Sequence, residues 1–188
     1  LRDKAIGEAY AYKAFAYFQL VQTYGKRYVA GDTNANDGIV LRDDPTEVTP
    51  KERATVAKTY EAIWENLNKA ETLLTGKTAA NKSHFSVANI KGLKARVALV
   101  QQDYTKAAQF AKEARGVLTL MTQTQYKAGF NDYTNPEWMW GVKIISDQTD
   151  YFGNFHAYMS RNYNSTQIRT APKVMNTKLY NAFPSTDV

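Results

Sequence analysis

The densest recognition chemistry in this sequence lies between residues 150 and 164. Tyr151, Phe152, Phe155, His156, Tyr158 and Tyr163 are interleaved there with Asn154, Arg161, Asn162 and Asn164. An aromatic ring gives a flat apolar face to the C–H side of a pyranose, and planar amide or guanidinium groups serve its hydroxyls. The segment supplies both, so Tyr151, Phe152, Asn154, Tyr158, Arg161, Asn162 and Tyr163 are the candidate ligand contacts. The competing account is that these rings anchor a long loop, and about half of them are expected to do so. His156 alone reads as a packing or surface residue.

Other patterns offer less. Asp32, Asn34, Asn36 and Asp43 place oxygen atoms at positions one, three, five and twelve of a calcium-type loop. Gly38 falls one place late for the sharp turn such a loop needs, so an Asn-Asp-Gly turn in a solvated loop is the simpler reading and a structural calcium the weaker one. Asp43 and Asp44 are adjacent, and neighbours in sequence seldom converge on one bond; glycoside hydrolysis holds two carboxyls about 5 to 10 Å apart. With no Cys there is no disulfide, thiolate metal site or Cys nucleophile, and the two His, His84 and His156, are not in a paired-ligand spacing. No G-x-S-x-G, phosphate-binding glycine loop or H-E-x-x-H is present. No cofactor is therefore expected.

The 24 Lys and Arg exceed the 18 Asp and Glu by six. Acidic residues are scattered among Lys91, Lys94, Arg96, Lys106, Lys112 and Arg115, with Lys91 and Lys94 assigned to a polar helix face. A solvated surface, with no nucleic-acid partner, fits better than a binding stripe.

The 188 residues suit one domain, and no run is long and apolar enough to cross a membrane as a helix. Residues 1–120 carry 31 of the 42 charges and read as a helical region; residues 121–188 carry 12 of the 24 aromatics and read as a mixed loop and strand region of the same domain. The first helix is predicted from Arg2 to Tyr24, with Ile6, Tyr10, Ala14, Tyr17, Val21 and Tyr24 as its main stripe and Ala11, Phe15 and Phe18 as a second. After a long excursion over 26–52, expected to be ordered or functional, a second helix runs to Leu74. Its cap is either Thr49, in a Thr-Pro-Lys-Glu capping box, or Thr55. Val56, Tyr60, Ile63, Leu67, Ala70 and Leu74 form its stripe, with Trp64 beside it as an inter-helix packing residue. Ser86 caps a third helix, Val87 to Gln102; a fourth runs from Tyr104 to about Leu120 with Ala107, Ala108, Ala111 and Ala114 inward. Those two form a tetratricopeptide-like hairpin, and the first two a degenerate copy. Residues Glu137 to Ile145 alternate as a short strand that sets Trp138 and Trp140 on one side, a geometry able to stack sugar rings. Lys173 to Phe183 is a last helix. The fold class is thus mostly α, with tetratricopeptide-like pairs, a short strand and a loop-rich C-terminal part.

In order and spacing these residues resemble the SusD/RagB family of outer-membrane nutrient-binding lipoproteins. The resemblance is carried by Lys13-Ala14-Phe15-Ala16-Tyr17-Phe18-Gln19-Leu20 ending in Tyr24-Gly25, by Arg53-Ala54-Thr55-Val56 with Tyr60, Ile63 and Leu67, by Ala95, Arg96, Asp103, Tyr104 and Ala107, and by Asn135-Pro136-Glu137 through Val142. It implies a non-catalytic protein, anchored by lipid at the outer-membrane surface, that binds a glycan or other nutrient for a TonB-dependent transporter. Membrane contact would come only through that anchor. The resemblance also argues for core packing of Trp138 and Trp140. On this reading the chain is an internal piece, lacking the lipid-bearing Cys, the preceding segment and the C-terminal portion. Two other classes stay open: a tetratricopeptide scaffold that binds peptides in its concave face, and an all-helical glycoside hydrolase, for which only Glu137 and Asp150 lie near the aromatic cluster.

Overall fold

The computed structural model describes residues 1–44, 46–116, 118–130, 132–143, 145–148, 170 and 173–186. They fall into two compact units, Leu1–Val142 and Lys143–Val188.

Helix α1, Arg2–Tyr24, packs along α2, Val56–Leu74; α3, Val87–Val100, packs along α4, Tyr104–Arg115; and α2 meets α3. The interface of α1 is built from small residues as well as large ones. Gly7, Ala11, Ala14, Phe18 and Val21 are buried with Tyr17, whereas Ile6 and Tyr24, expected inside, are exposed. Size explains the difference. A Cβ on Gly7 would stand 2.9 Å from Leu74 Cγ and 3.0 Å from Leu73 Cβ, so the two helices approach where α1 carries least bulk. In α2 the six apolar residues of the predicted stripe are all buried.

Thr55, not Thr49, caps α2: its hydroxyl accepts from the Lys58 amide at 3.2 Å. Ser86 and Asn89 form a capping box at the start of α3. Helix α4 stops five residues before the expected Leu120, because Gly116 adopts a positive φ of 49° that breaks the helix. The short helix α5, Gln123–Lys127, follows, with a Thr122–Gln125 capping box. In the second unit a 3₁₀ turn covers Ser146–Gln148, and helix α6 covers only Thr177–Tyr180, with the Asn176 side chain accepting from the Lys178 amide at its start.

The long 26–55 crossover is ordered by polar side chains acting in place of a ladder. Asn34, 4% exposed at φ 51°, accepts from the Val29 amide and donates to the Val29 and Asp32 carbonyls, each at 2.9 Å. The Tyr17 hydroxyl donates to the Arg42 carbonyl at 2.7 Å and accepts from its amide at 2.9 Å. Arg53 donates through Nε to the Gly38 carbonyl at 2.7 Å and through Nη2 to the Tyr24 carbonyl, drawing the end of α1 to the start of α2. An isolated antiparallel bridge joins Asp37 to Thr55.

The predicted strand is not present among the described residues of 137–145. Among the described residues, 138–142 pair in no ladder; three of their polar groups are met instead by the loop between α2 and α3 and by the start of α3. The Gly141 amide donates to the Lys82 carbonyl at 3.0 Å, the Trp140 Nε1 to the Ser83 carbonyl at 3.2 Å, and the Asn89 amide nitrogen to the Met139 carbonyl at 3.0 Å. Alternation of residue types describes an extended chain, but a strand also needs a neighbour.

Two stability outcomes follow. Removing the cap oxygen in Thr55→Ala is expected to cost about 1 kcal/mol in urea denaturation, while Thr49→Ala stays within about 0.5 kcal/mol of the parent. Equal losses would put the cap in the wrong place. Gly38→Ala would push a Cβ to 2.4 Å from Thr59 Oγ1 and 2.8 Å from the Thr55 carbonyl oxygen. It should destabilise the chain by about 1–3 kcal/mol, as overpacking does, and an unchanged midpoint would contradict the tight seat described.

Candidate functional site

The candidate ligand contacts Tyr151, Phe152, Asn154, Tyr158, Arg161, Asn162 and Tyr163 lie outside the described residues. Asp150 and His156 lie there too. Among the described residues, two features of the first unit can hold something: an apolar groove on the second hairpin and an aromatic cluster beside it.

The groove runs along α3 and α4 and encloses about 860 Å³. Gly92, Ala95, Ala107 and Ala111 form its floor, and Phe85, Leu99, Met139 and Trp140 rise around it. Alanines at helical spacing leave a shallow trough that a bulkier stripe would fill. Asn89, Arg96, Tyr104, Arg115, Thr119 and Glu137 are the polar members of its lining. Asn89 is committed to the α3 cap and to Met139, and Glu137 Oε2 accepts from the Met121 amide at 2.8 Å. Glu137, one of the two acids considered for hydrolysis, thus serves as a backbone anchor.

The two tryptophans part company. Trp140 is partly buried and packs against the core: it stacks on Phe85 with centroids 5.0 Å apart and planes at 19°, and meets Phe15 edge-on at 5.6 Å. Phe85 is itself 2% exposed and takes the ring of Tyr12 on its edge at 4.7 Å. Trp138 joins a different group, stacking with Phe130, which in turn meets Tyr126. A strand would have put both indoles on one side; without a ladder the chain turns between them. Trp64 packs between helices as expected, its Nε1 donating to Gln101 Oε1 at 2.6 Å and its ring 5.9 Å from Phe110.

Charge behind the groove is paired. Lys94 is 5% exposed, against the expectation of a polar face, because its ammonium lies over the Phe110 ring, 5.6 Å from the centroid, and meets Glu71 of α2. Lys91 pairs with Glu113 of α4 at 2.7 Å and lies 3.9 Å from Glu71, so three helices share one line of alternating charge. The hydrogen bond to Glu113 raises Lys91 above the ordinary lysine value, and those from Lys91 and Gln109 hold Glu113 below the usual carboxylate range.

The remaining polar patterns are used locally. Asp32 Oδ1 accepts from the Asn34 amide at 2.7 Å, the Asn34 side chain is occupied by Val29 and Asp32, and Asp43 pairs with Lys13 at 2.7 Å. Asp44 instead accepts from the Thr46 amide and hydroxyl. No group of three or more His, Cys, Asp or Glu able to hold a metal occurs among the described residues. His84 Nδ1 lies 3.1 Å from Glu8 Oε2, linking the α2–α3 loop to α1.

Two helix hairpins, one split by an ordered crossover, define a tetratricopeptide-like helical scaffold. Residues 2–99, just over half of the chain, match a SusD-like family described as starch-binding and associating with the outer membrane. The chain belongs to that family. A SusD-like carbohydrate binding protein from Bacteroides vulgatus superposes with a TM-score of 0.68 at 26% identity, over 79% of this chain and 32% of its own. A SusD superfamily protein from Bacteroides thetaiotaomicron shares the fold, with a TM-score of 0.58 at 24% identity over 66% of this chain and 28% of its own. The chain therefore spans about a third of the length of these structures. Comparison with curated proteins finds no match.

Acid stability follows from the carboxylates. Hydrogen bonds hold Asp43 (from Lys13), Asp44 (from Thr46), Asp103 (from Lys106), Asp132 (from Thr134) and Glu113 below their ordinary range. A depressed folded-state value means the contribution is present above the unfolded value and is lost as pH falls through the folded one. The melting temperature should be level between about pH 5 and 8 and decline below about pH 4. Asp43, Asp44 and Asp132 are exposed and Asp103 and Glu113 partly so, and the decline should be modest and weaken in high salt. A melting temperature unchanged down to pH 3 would contradict this account.

Proposed function

We propose that the protein binds a glycan without transforming it, at the outer-membrane surface, and passes it to a TonB-dependent transporter. The observation that carries this reading is the match of residues 2–99 to a starch-binding, outer-membrane-associating family. The similar structure from Bacteroides vulgatus, itself a carbohydrate binding protein, supports the same class of ligand. Binding of this kind asks for surfaces, not for reactive groups. Rings supply stacking area, and amides and guanidinium groups supply hydroxyl partners. We assign these contacts to Tyr151, Phe152, Asn154, Tyr158, Arg161, Asn162 and Tyr163, on the interleaving of rings and planar polar groups along the sequence. Attachment to the membrane would come through a lipid anchor on the parent polypeptide.

A glycan panel titrated against the parent protein by calorimetry tests this. Saturable binding to one glycan class is expected, weakened at least about tenfold in the Tyr151→Ala/Tyr158→Ala double variant, as loss of two stacking rings would give. Binding that survives in the double variant would keep the function and remove these contacts from it. Reducing-sugar release measured on the same mixtures should stay at background, and turnover would overturn the non-catalytic reading.

A further inference from the structure

The cluster around Trp138 differs from the groove in a way that bears on ligand chemistry. Phe130 and Trp138 lie with planes within 10° and centroids 6.4 Å apart. Parallel rings in full overlap stand about 3.5–4 Å apart, so these two are slid past one another by about 5 Å, a stepped pair that leaves part of each face uncovered. Tyr126, four residues before Phe130, meets it edge-on at 5.3 Å and 89°. Phe130 is 53% exposed and Tyr126 48%, while Trp138 is half-buried.

The rings are held, not merely displayed. Trp138 is seated behind by Gly141, where an added Cβ would lie 3.5 Å from its Cε3. Its amide donates to the Asn135 carbonyl at 3.1 Å, and the turn before it is fixed by Lys82, whose ammonium reaches the Thr134 and Asn135 carbonyls. The Glu137 carboxylate receives the Met121 amide at 2.8 Å, tying the entry of α5 to the turn that carries Trp138. Tyr126 thus takes its position from a capped helix and Trp138 from a hydrogen-bonded turn, while Phe130, three residues beyond α5, is packed between their rings.

Polar groups flank the rings in sequence. Lys127 lies between Tyr126 and Phe130; Asp132, two residues beyond Phe130, is kept anionic by the Thr134 hydroxyl at 2.6 Å and the Thr134 amide at 2.8 Å. A carboxylate is an acceptor for hydroxyl donors, and its charge strengthens the bond. Part-exposed rings with a held carboxylate two residues on in sequence suit a pyranose better than an apolar helix.

We propose that Tyr126, Phe130 and Trp138 form a stacking platform for the sugar rings of an oligosaccharide, with Asp132 accepting from its hydroxyls. This rests on the glycan-binding reading above and adds a contact surface distinct from residues 151–163. The test is calorimetric titration of the parent protein, and of its Phe130→Ala, Phe130→Tyr and Tyr126→Ala variants, with the glycan the panel identifies. Phe130→Ala should weaken binding about three- to tenfold and Phe130→Tyr should restore it, since the ring and not the phenyl identity is used. Tyr126→Ala, at an exposed position, should weaken binding without moving the melting temperature. Parent-level affinity in both alanine variants, with the parent binding its glycan, would overturn the platform and leave the function standing. A parent that binds no glycan would overturn the reading beneath it and the platform together.

Discussion

The first unit depends on a few backbone carbonyls in the turn between α2 and α3. Two separate parts of the chain converge on those of Lys82 and Ser83: the 140–141 segment, through the Trp140 indole and the Gly141 amide, and α1, through the Tyr12 hydroxyl at 3.4 Å. Phe85, two residues on, is then closed over by the rings of Tyr12 and Trp140. A loop that would otherwise only join two helices becomes the point where the 140–141 segment is fastened. Buried polar groups need partners, and here a turn supplies what a sheet edge would have supplied.

The helices can converge on that point because α1 is slender where it meets α2. Gly7, Ala11 and Ala14 set the distance; Phe18 and Val21 then fill the wider end beside Tyr60. Across the second interface the Glu71, Lys94, Lys91 and Glu113 side chains do a different task. Their order fixes which faces of α2, α3 and α4 oppose one another, since any rotation of α3 would leave the nearly enclosed Lys94 without its partner.

Much of this was legible in the residues. Stripes of large apolar side chains predict α2 and α3 well, because those side chains are what the helices bury. The face of α1 was harder to read: a rule that seeks bulk favours Ile6 and Tyr24 and passes over Gly7, where closest approach demands the least bulk. Lys94 looked like surface because the sequence does not reveal that Phe110 and Glu71 lie over it. The strand was misread for a related reason, since partners distant in sequence decide whether an extended segment joins a ladder. For the site, composition drew attention to residues 150–164. It passed over Tyr126 and Phe130, whose four-residue spacing was the available signal, in a stretch too short to show a period.

The long crossover has a consequence for how the chain would respond to cutting. Its base is closed by Arg53 reaching Tyr24 and Gly38, and its first half is wound around Asn34, while residues 47–52 at its tip are largely exposed. A protease would find its substrate at that tip. The two products would not part, because α1 and α2 bury a shared face and the clasp lies on the helix side of the nick. The crossover is therefore a place where the polypeptide can lose its continuity and keep its shape.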